Sequence, residues 1–159
     1  MRRYVIGYPV RDGRVLLIYK KRGLGRGLYN GVGGKVEEGE TDEEALVREA
    51  LEELSIRPTS YERVAKLLFT DDYGTEMDVS VFLIEDWEGE PVESEEAKPE
   101  WYDIDSLPYD RMWEDDRVWL WRVLRGERLR GHFHFNDIWG HHEEPRMRSC
   151  RIEEGAPPP

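Results

Sequence analysis

The sequence predicts an α+β fold in which a mixed β-sheet is packed between helices. Three observations carry this. Period-two alternation marks several strands joined by Gly-, Asp- and Pro-containing turns. A period near 3.6 marks only two helices. The strands come in runs on either side of the helices rather than alternating with them one by one. At 159 residues the chain has material for one core but not two.

Tyr4–Val10 and Arg14–Tyr19 read as strands around Asp12-Gly13, a hairpin turn signal. Lys20–Gly34 is rich in Gly and basic residues and reads as a loop, with Val36 near a short strand. Thr41-x-x-Glu44 is a capping box, so a helix starts there and runs to about Leu54, with Pro58 soon after. Tyr61–Thr70 and Glu76–Glu85 read as long strands around the Asp71–Gly74 turn, and Trp87–Pro91 as a turn. Pro99–Ile104 is a short strand, Asp105–Leu107 a turn or short helix, Asp115–Leu124 a second helix and Arg128–Phe135 a further strand. From Glu143 to Pro159 the composition predicts a disordered tail, which leaves residues 1–142 as the domain.

Composition excludes several functional classes. No apolar run approaches the ~20 residues of a membrane span, and the N-terminal stretch has no apolar core of a secretory signal. Cys150 is the only cysteine, so no internal disulfide can form, and a reducing, cytoplasmic setting is expected. The net charge of −12 argues against a duplex-binding surface. Acidic, lysine-poor surfaces also suit high salt, where self-repulsion is screened. Nothing in the sequence chooses between monomer and dimer.

The segment Gly34–Ile56, GKVEEGETDEEALVREALEELSI, carries the chemistry. On a helical wheel, with Glu49 at zero, Glu53 falls at about +40° and Glu52 at about −60°, so three carboxylates share an arc of about 100°. Ala50, Leu54, Val47 and Leu51 take the arc from about 100° to 200° and are expected to face the core. Carboxylates this close raise one another's pKa, a penalty that a hard divalent cation removes. Arg48 can hold one of them in a fixed rotamer, and Gly31-Val32-Gly33-Gly34 lets backbone approach a metal or phosphate. A solvated acidic helix face has a similar composition; the spacing separates the two readings. Gly34, five residues, Glu40, seven residues, then Arg48-Glu49-Ala50-x-Glu52-Glu53-x-Ser55-Ile56 resembles the Nudix box. One position departs: Ser55 replaces a Gly that commonly ends the helix with positive φ.

The resemblance implies a Nudix-type α/β/α sandwich and hydrolysis of a nucleoside diphosphate linkage with water as nucleophile and Mg²⁺, or Mn²⁺ in its place, as cofactor. It implies that Gly34, Glu49, Glu52, Glu53 and Glu96 hold the metal. Glu52 and Glu53 would serve catalysis, with Glu52 a further ligand or a base for the water. Glu40 would stand behind the ligands, and Arg48 would orient them. The flanks, KKRGLGRGLYNGVGGKVEEGET and PVESEEAKPEWYDIDSLPYDRMWEDDRVWLW, resemble those Nudix members that act on oxidised purine nucleoside triphosphates. This likeness runs from about Tyr4 to Phe135.

The flanks imply a purine pocket. Asn30 can read a base edge with both donors and acceptor, and Trp113 offers a stacking face. Asp115-Asp116, once buried, would hold one proton between them. Helix N-terminal acids held by the dipole would give the same pair. Lys20, Leu24, Leu68 and Met77 are expected around the substrate, Leu24 and Leu68 at positions where the resembled enzymes carry Phe. The expected activity is therefore conversion of 8-oxo-dGTP or 2-oxo-dATP to monophosphate and pyrophosphate, a sanitation of the nucleotide pool. The alternatives are a Nudix hydrolase of normal nucleotides or ADP-ribose-like compounds, or a binding module without turnover. His132, His134, His141 and His142 lack a Zn-like spacing and read as surface residues.

Overall fold

Arg2–Arg11 (β1) and Arg14–Lys20 (β2) form the first hairpin in the computed structural model, which describes residues 1–155. Asp12 and Gly13 both take positive φ, 54° and 75°, as a tight hairpin turn requires. The stretch expected to be only loop contains two short strands, Tyr29–Asn30 (β3) and Val32–Lys35 (β4). β4 pairs antiparallel with β1, Gly34 opposite Val5 and Gly33 opposite Ile6. Propensity argues against strands in so Gly-rich a segment. Here the pairing follows from fit, because a Cβ on Gly33 would fall 2.0 Å from the Val5 carbonyl oxygen.

The first helix, Asp42–Leu54 (α1), begins and ends where the capping signals put it. Glu44 N donates to Thr41 Oγ1 at 3.1 Å and Thr41 N to Glu44 Oε1 at 2.9 Å, closing the capping box. Ser55 caps the other end in the left-handed region, φ 61°. Next come Arg57–Asp71 (β5), Glu76–Glu88 (β6) and Ala97–Asp103 (β7). A 3₁₀ turn at Tyr109–Arg111 precedes the second helix, Asp116–Leu124 (α2), and Leu129–Phe135 (β8) follows it.

The sheet runs β3-β2-β1-β6-β5-β8, with β7 on β2 and β4 on β1. β1 is parallel to β6 and β5 to β8, while β5 and β6 are antiparallel, so the sheet is mixed. Alternating strand residues feed two cores. Leu16, Ile18, Phe82 and Ile84 pack with Leu46, Ala50 and Leu54 of α1. Val15, Leu17, Val81, Phe133 and Phe135 pack with Trp119, Leu120 and Val123 of α2 on the opposite face. This is the α/β/α sandwich expected.

The C-terminal expectation needs correction. Met147–Glu154 is not disordered but forms an edge strand (β9), antiparallel to β8. Met147 and Ile152 pack against the α2-side core, and the preceding loop is tied down by side chains. Asp137 accepts from the backbone N–H of His142 and Glu143, at 2.6 and 3.0 Å, and Asn136 Oδ1 from that of Arg146 at 2.7 Å. Polar composition hid a strand whose stability comes from the unpaired edge of β8. Ala156–Pro159, the end of the expected tail, lie outside the described residues.

Candidate active site

α1 carries its acids differently from the wheel reading. Leu51 is 43% exposed, while Asp42, Ala45, Leu46, Ala50, Glu53 and Leu54 are buried. The buried face is therefore centred between Glu49 and Ala50, and acids and apolar residues share it. Glu53 is 1% exposed, and its Oε2 accepts from the backbone N–H of Gly33 at 3.1 Å. Glu49 lies against Gly34, where an added Cβ would come within 2.7 Å of its carboxylate. Only glycine leaves room for that approach.

Arg48 holds the acids as the spacing predicted. Its Nε and Nη2 donate to the two oxygens of Glu40 at 2.8 and 3.0 Å, Nη1 donates to Glu49 Oε1 at 2.7 Å, and Nη2 also reaches the Lys35 carbonyl at 3.0 Å. This fork leaves the guanidinium no other rotamer. The Arg48 bonds and the Glu37 backbone N–H hold the Glu40 carboxyl down at about 2, fully ionised at neutral pH. Burial pushes Glu53 up to about 9 against the pull of Lys20, with the charge of Glu49 adding to the rise. Burial raises Glu49 too, although Arg48 opposes it.

Among the described residues no group of three acids, histidines or cysteines forms a ready-made cation cage. A cation nonetheless fits Glu49, Glu53 and the Gly34 backbone. Glu53 Oε1 is buried with no hydrogen-bond partner among the described residues. A cation would take the place of the proton that burial forces on this pair, with water and substrate phosphates completing its shell. Glu52 and Glu96 stand outside the pair. The Glu52 side chain is 59% exposed and 3.5 Å from Arg48, because its wheel position turns it off the buried face. Glu96, before β7, is paired with Arg22 at 3.3 Å with 46% of its side chain exposed.

A cavity of about 200 Å³ opens on the α2 side of the sheet. Its lining includes Gly33, Gly34 and Lys20 together with Asn30, Trp113, Asp115, Asp116, Leu24 and Met77. Lys20 is the one member of the basic run that lines it. Lys21 is bound to Glu93 and the Ser94 carbonyl, and Arg22 to Glu95 and Glu96.

Leu68 is a correction. Leu67 and Phe69 line the cavity, while Leu68 does not. β5 has a bulge between Arg63 and Ala65, and beyond it odd-numbered residues face the cavity. Phe69, stacked on Phe133 at 5.4 Å, therefore supplies an aromatic wall that the sequence reading lacked. Strand parity was the signal that could have found it.

The two aspartates of the cavity differ. Asp115 Oδ2 accepts from Trp119 Nε1 at 2.7 Å, whereas Asp116 Oδ2 is buried with no partner among the described residues. Burial lifts Asp115 to about 6 despite the Trp119 bond. Burial, then the charge of Asp115, holds Asp116 well above the carboxylate range. At neutral pH the pair thus offers an acceptor on Asp115 and a proton donor on Asp116. The sequence reading missed Trp119 and Ile138, which also line the cavity. Among the histidines, His132 and His134 share a face and both contact Thr70 Oγ1, at 2.8 and 2.7 Å.

A carboxylate pair with one member fully buried at a glycine strand, a clamping arginine and an adjoining apolar cavity belong to an enzyme that works on phosphates. Residues 1–123 match the NUDIX domain, and the chain belongs to the Nudix hydrolase family. It is 46% identical over 127 residues to the oxidized purine nucleoside triphosphate hydrolase of Danio rerio, covering 79% of this chain and 81% of the relative. To the protein of the same name from Mus musculus it is 40% identical over 137 residues, covering 86% and 88%. The crystal structure of the mutator MutT protein from Bacillus halodurans superposes with a TM-score of 0.80 at 28% identity, covering 96% of this chain and 98% of that one. Nudix hydrolases generally use divalent metal ions.

Proposed function

We propose that the chain hydrolyses oxidised purine nucleoside triphosphates, of the 8-oxo-dGTP and 2-oxo-dATP type, to monophosphate and pyrophosphate with Mg²⁺, for which Mn²⁺ can substitute. One observation carries this reading. A single cavity joins a polar, aromatic base site to the glycine strand that backs the Glu49–Glu53 pair. The names of the Danio rerio and Mus musculus relatives support the same substrate class. The lone cysteine suits the cytoplasm as its place of action.

In this reading Trp113 stacks on the purine, Asn30 and the Asp115–Asp116 pair meet its edge, and Leu24, Met77 and Phe69 exclude water around it. Lys20 faces the phosphates. Glu49, Glu53 and the Gly34 carbonyl would hold the cation, which when bound neutralises phosphate charge and lowers the pKa of a water. Arg48, itself clamped by Glu40, keeps Glu49 in one rotamer. Glu52, outside the buried pair and open to solvent, takes the proton of the attacking water. The water oxygen bonds to the β-phosphorus, the α–β anhydride bond breaks, and the nucleoside monophosphate leaves.

Product analysis tests the assignment. With 8-oxo-dGTP and Mg²⁺, ion-exchange chromatography should resolve monophosphate and pyrophosphate in equal amounts, and chelation should stop turnover. Release of orthophosphate with a nucleoside diphosphate would overturn it.

A further inference from the structure

Tyr8 lies in β1 at 0% exposure, beneath the cavity rather than in its lining. Its hydroxyl donates to Asn30 Oδ1 at 3.1 Å, and the backbone N–H of Gly31 donates to the same oxygen at 2.9 Å. An amide oxygen has two lone pairs, so both are used. The Asn30 side chain is thereby held with its oxygen turned inward and its NH₂ left for the cavity that Asn30 lines. Tyr8 has little freedom to do otherwise. Its ring packs edge-on against Trp119 at 6.2 Å, and a Cβ on Gly31 would stand 2.9 Å from the ring, so glycine there makes its room. Burial, with the charge of Asp115 adding to it, keeps the phenol protonated and therefore a donor.

We propose that Tyr8 is a positioning residue that sets the polarity of base recognition, by fixing Asn30 as a hydrogen-bond donor to the purine. The proposal rests on the reading of this cavity as the base site. A fixed donor pair matches a ring carbonyl and repels an exocyclic amine, and a buried mismatch of that kind is costly. The pocket therefore favours a purine that presents a ring carbonyl to Asn30, at C6 in 8-oxo-dGTP or at C2 in 2-oxo-dATP, over 8-oxo-dATP, which has no carbonyl at either position. A rotatable asparagine would tell the two apart poorly, since turning the amide over offers oxygen in place of nitrogen.

The test compares kcat and KM for 8-oxo-dGTP and 8-oxo-dATP in the parent, Tyr8→Phe, Asn30→Ala and the double variant, with Tm measured for each. Tyr8→Phe removes one oxygen and leaves the ring on Trp119. It should narrow the 8-oxo-dGTP preference by about tenfold, through KM, with kcat unchanged. In the double variant the effect of Tyr8→Phe should vanish, because the amide it orients is gone. Equal losses on both nucleotides, or losses that add to those of Asn30→Ala, would overturn the proposal and leave Tyr8 a packing residue. If Asn30→Ala alone leaves KM for both nucleotides unchanged, the base-site reading itself fails. Should Tyr8→Phe not fold, the Asn30 side-chain amide signals of the parent decide. Binding of 8-oxo-dGTP should shift them in an ¹⁵N–¹H spectrum without a change of rotamer, and a rotamer change on binding would refute a pre-set donor.

Discussion

Glu53 concentrates the chemistry of α1 into one side chain, because it is buried, faces Gly33 and has an oxygen without a partner among the described residues. Glu53→Gln keeps the volume and the Gly33 bond but weakens the hold on a cation. Turnover of 8-oxo-dGTP should fall by about 10²–10⁴-fold while nucleotide affinity persists, as titration calorimetry beside the rate assay would show. Unchanged turnover would move the catalytic assignment elsewhere. The Asp115–Asp116 pair has its signature in stability against pH. Burial raises both groups above the unfolded value of about 4, so the folded state holds protons that the unfolded state releases. That contribution is fully present below about pH 4 and is lost as pH rises through the folded values, from about 6 upward. Asp116→Asn cannot ionise, so its Tm relative to the parent should increase between about pH 5 and about pH 8. A difference independent of pH would contradict the buried pair. The box acids were legible in the sequence because their types and spacing carry chemistry, whereas Asn30, Trp113, Asp115 and Asp116, which line one cavity, were legible only through what the flanks resemble. Tyr8 was not, because an apolar strand run shows nothing of what a phenol at its end will touch.

At the scale of the element, α1 was the most readable part. Its capping box marks the start, and Ser55 at φ 61° marks the end. Ser55 occupies a conformation that glycine adopts without strain, so Ser55→Gly should stabilise the fold by about 1 kcal/mol. That corresponds to a rise in Tm of roughly 2–4 °C by calorimetry, with kcat unchanged. A fall in Tm would mean the serine makes a cap of its own. What the sequence hid about α1 was its rotation. The 3.6 period places acids and apolar residues on neighbouring arcs, but tertiary packing set the buried arc, and it took in Glu53 and left out Leu51. The strands failed in three ways. β4 forms because glycine lets backbone meet backbone, the bulge in β5 brings Leu67 and Phe69 to the cavity in place of the Leu68 that the resemblance implied, and β9 forms on an edge another strand provides. All three depend on a neighbour distant in sequence, which local pattern does not register.

Across the whole molecule, 35 acidic against 23 basic residues leave a net charge of −12. Such a surface repels itself at low ionic strength, and molar salt shortens the screening length to about 3 Å. The Tm should therefore rise between low and molar KCl, and a flat or falling profile would show that ion pairs, such as Arg48 with Glu40, outweigh the excess charge. The sandwich brings into one cavity residues from β1, β2, β4, β5, β6 and the start of α2. In the proposed function, base recognition and phosphate chemistry share this one cavity. The most direct test is kcat/KM for pyrophosphate release from 8-oxo-dGTP and from dGTP, measured side by side with Mg²⁺. At least about a tenfold preference for the oxidised nucleotide is predicted, because one altered hydrogen-bonding position at a buried polar pair has an effect of that order. Equal values, or a preference for dGTP, would contradict a base site tuned to oxidised purines.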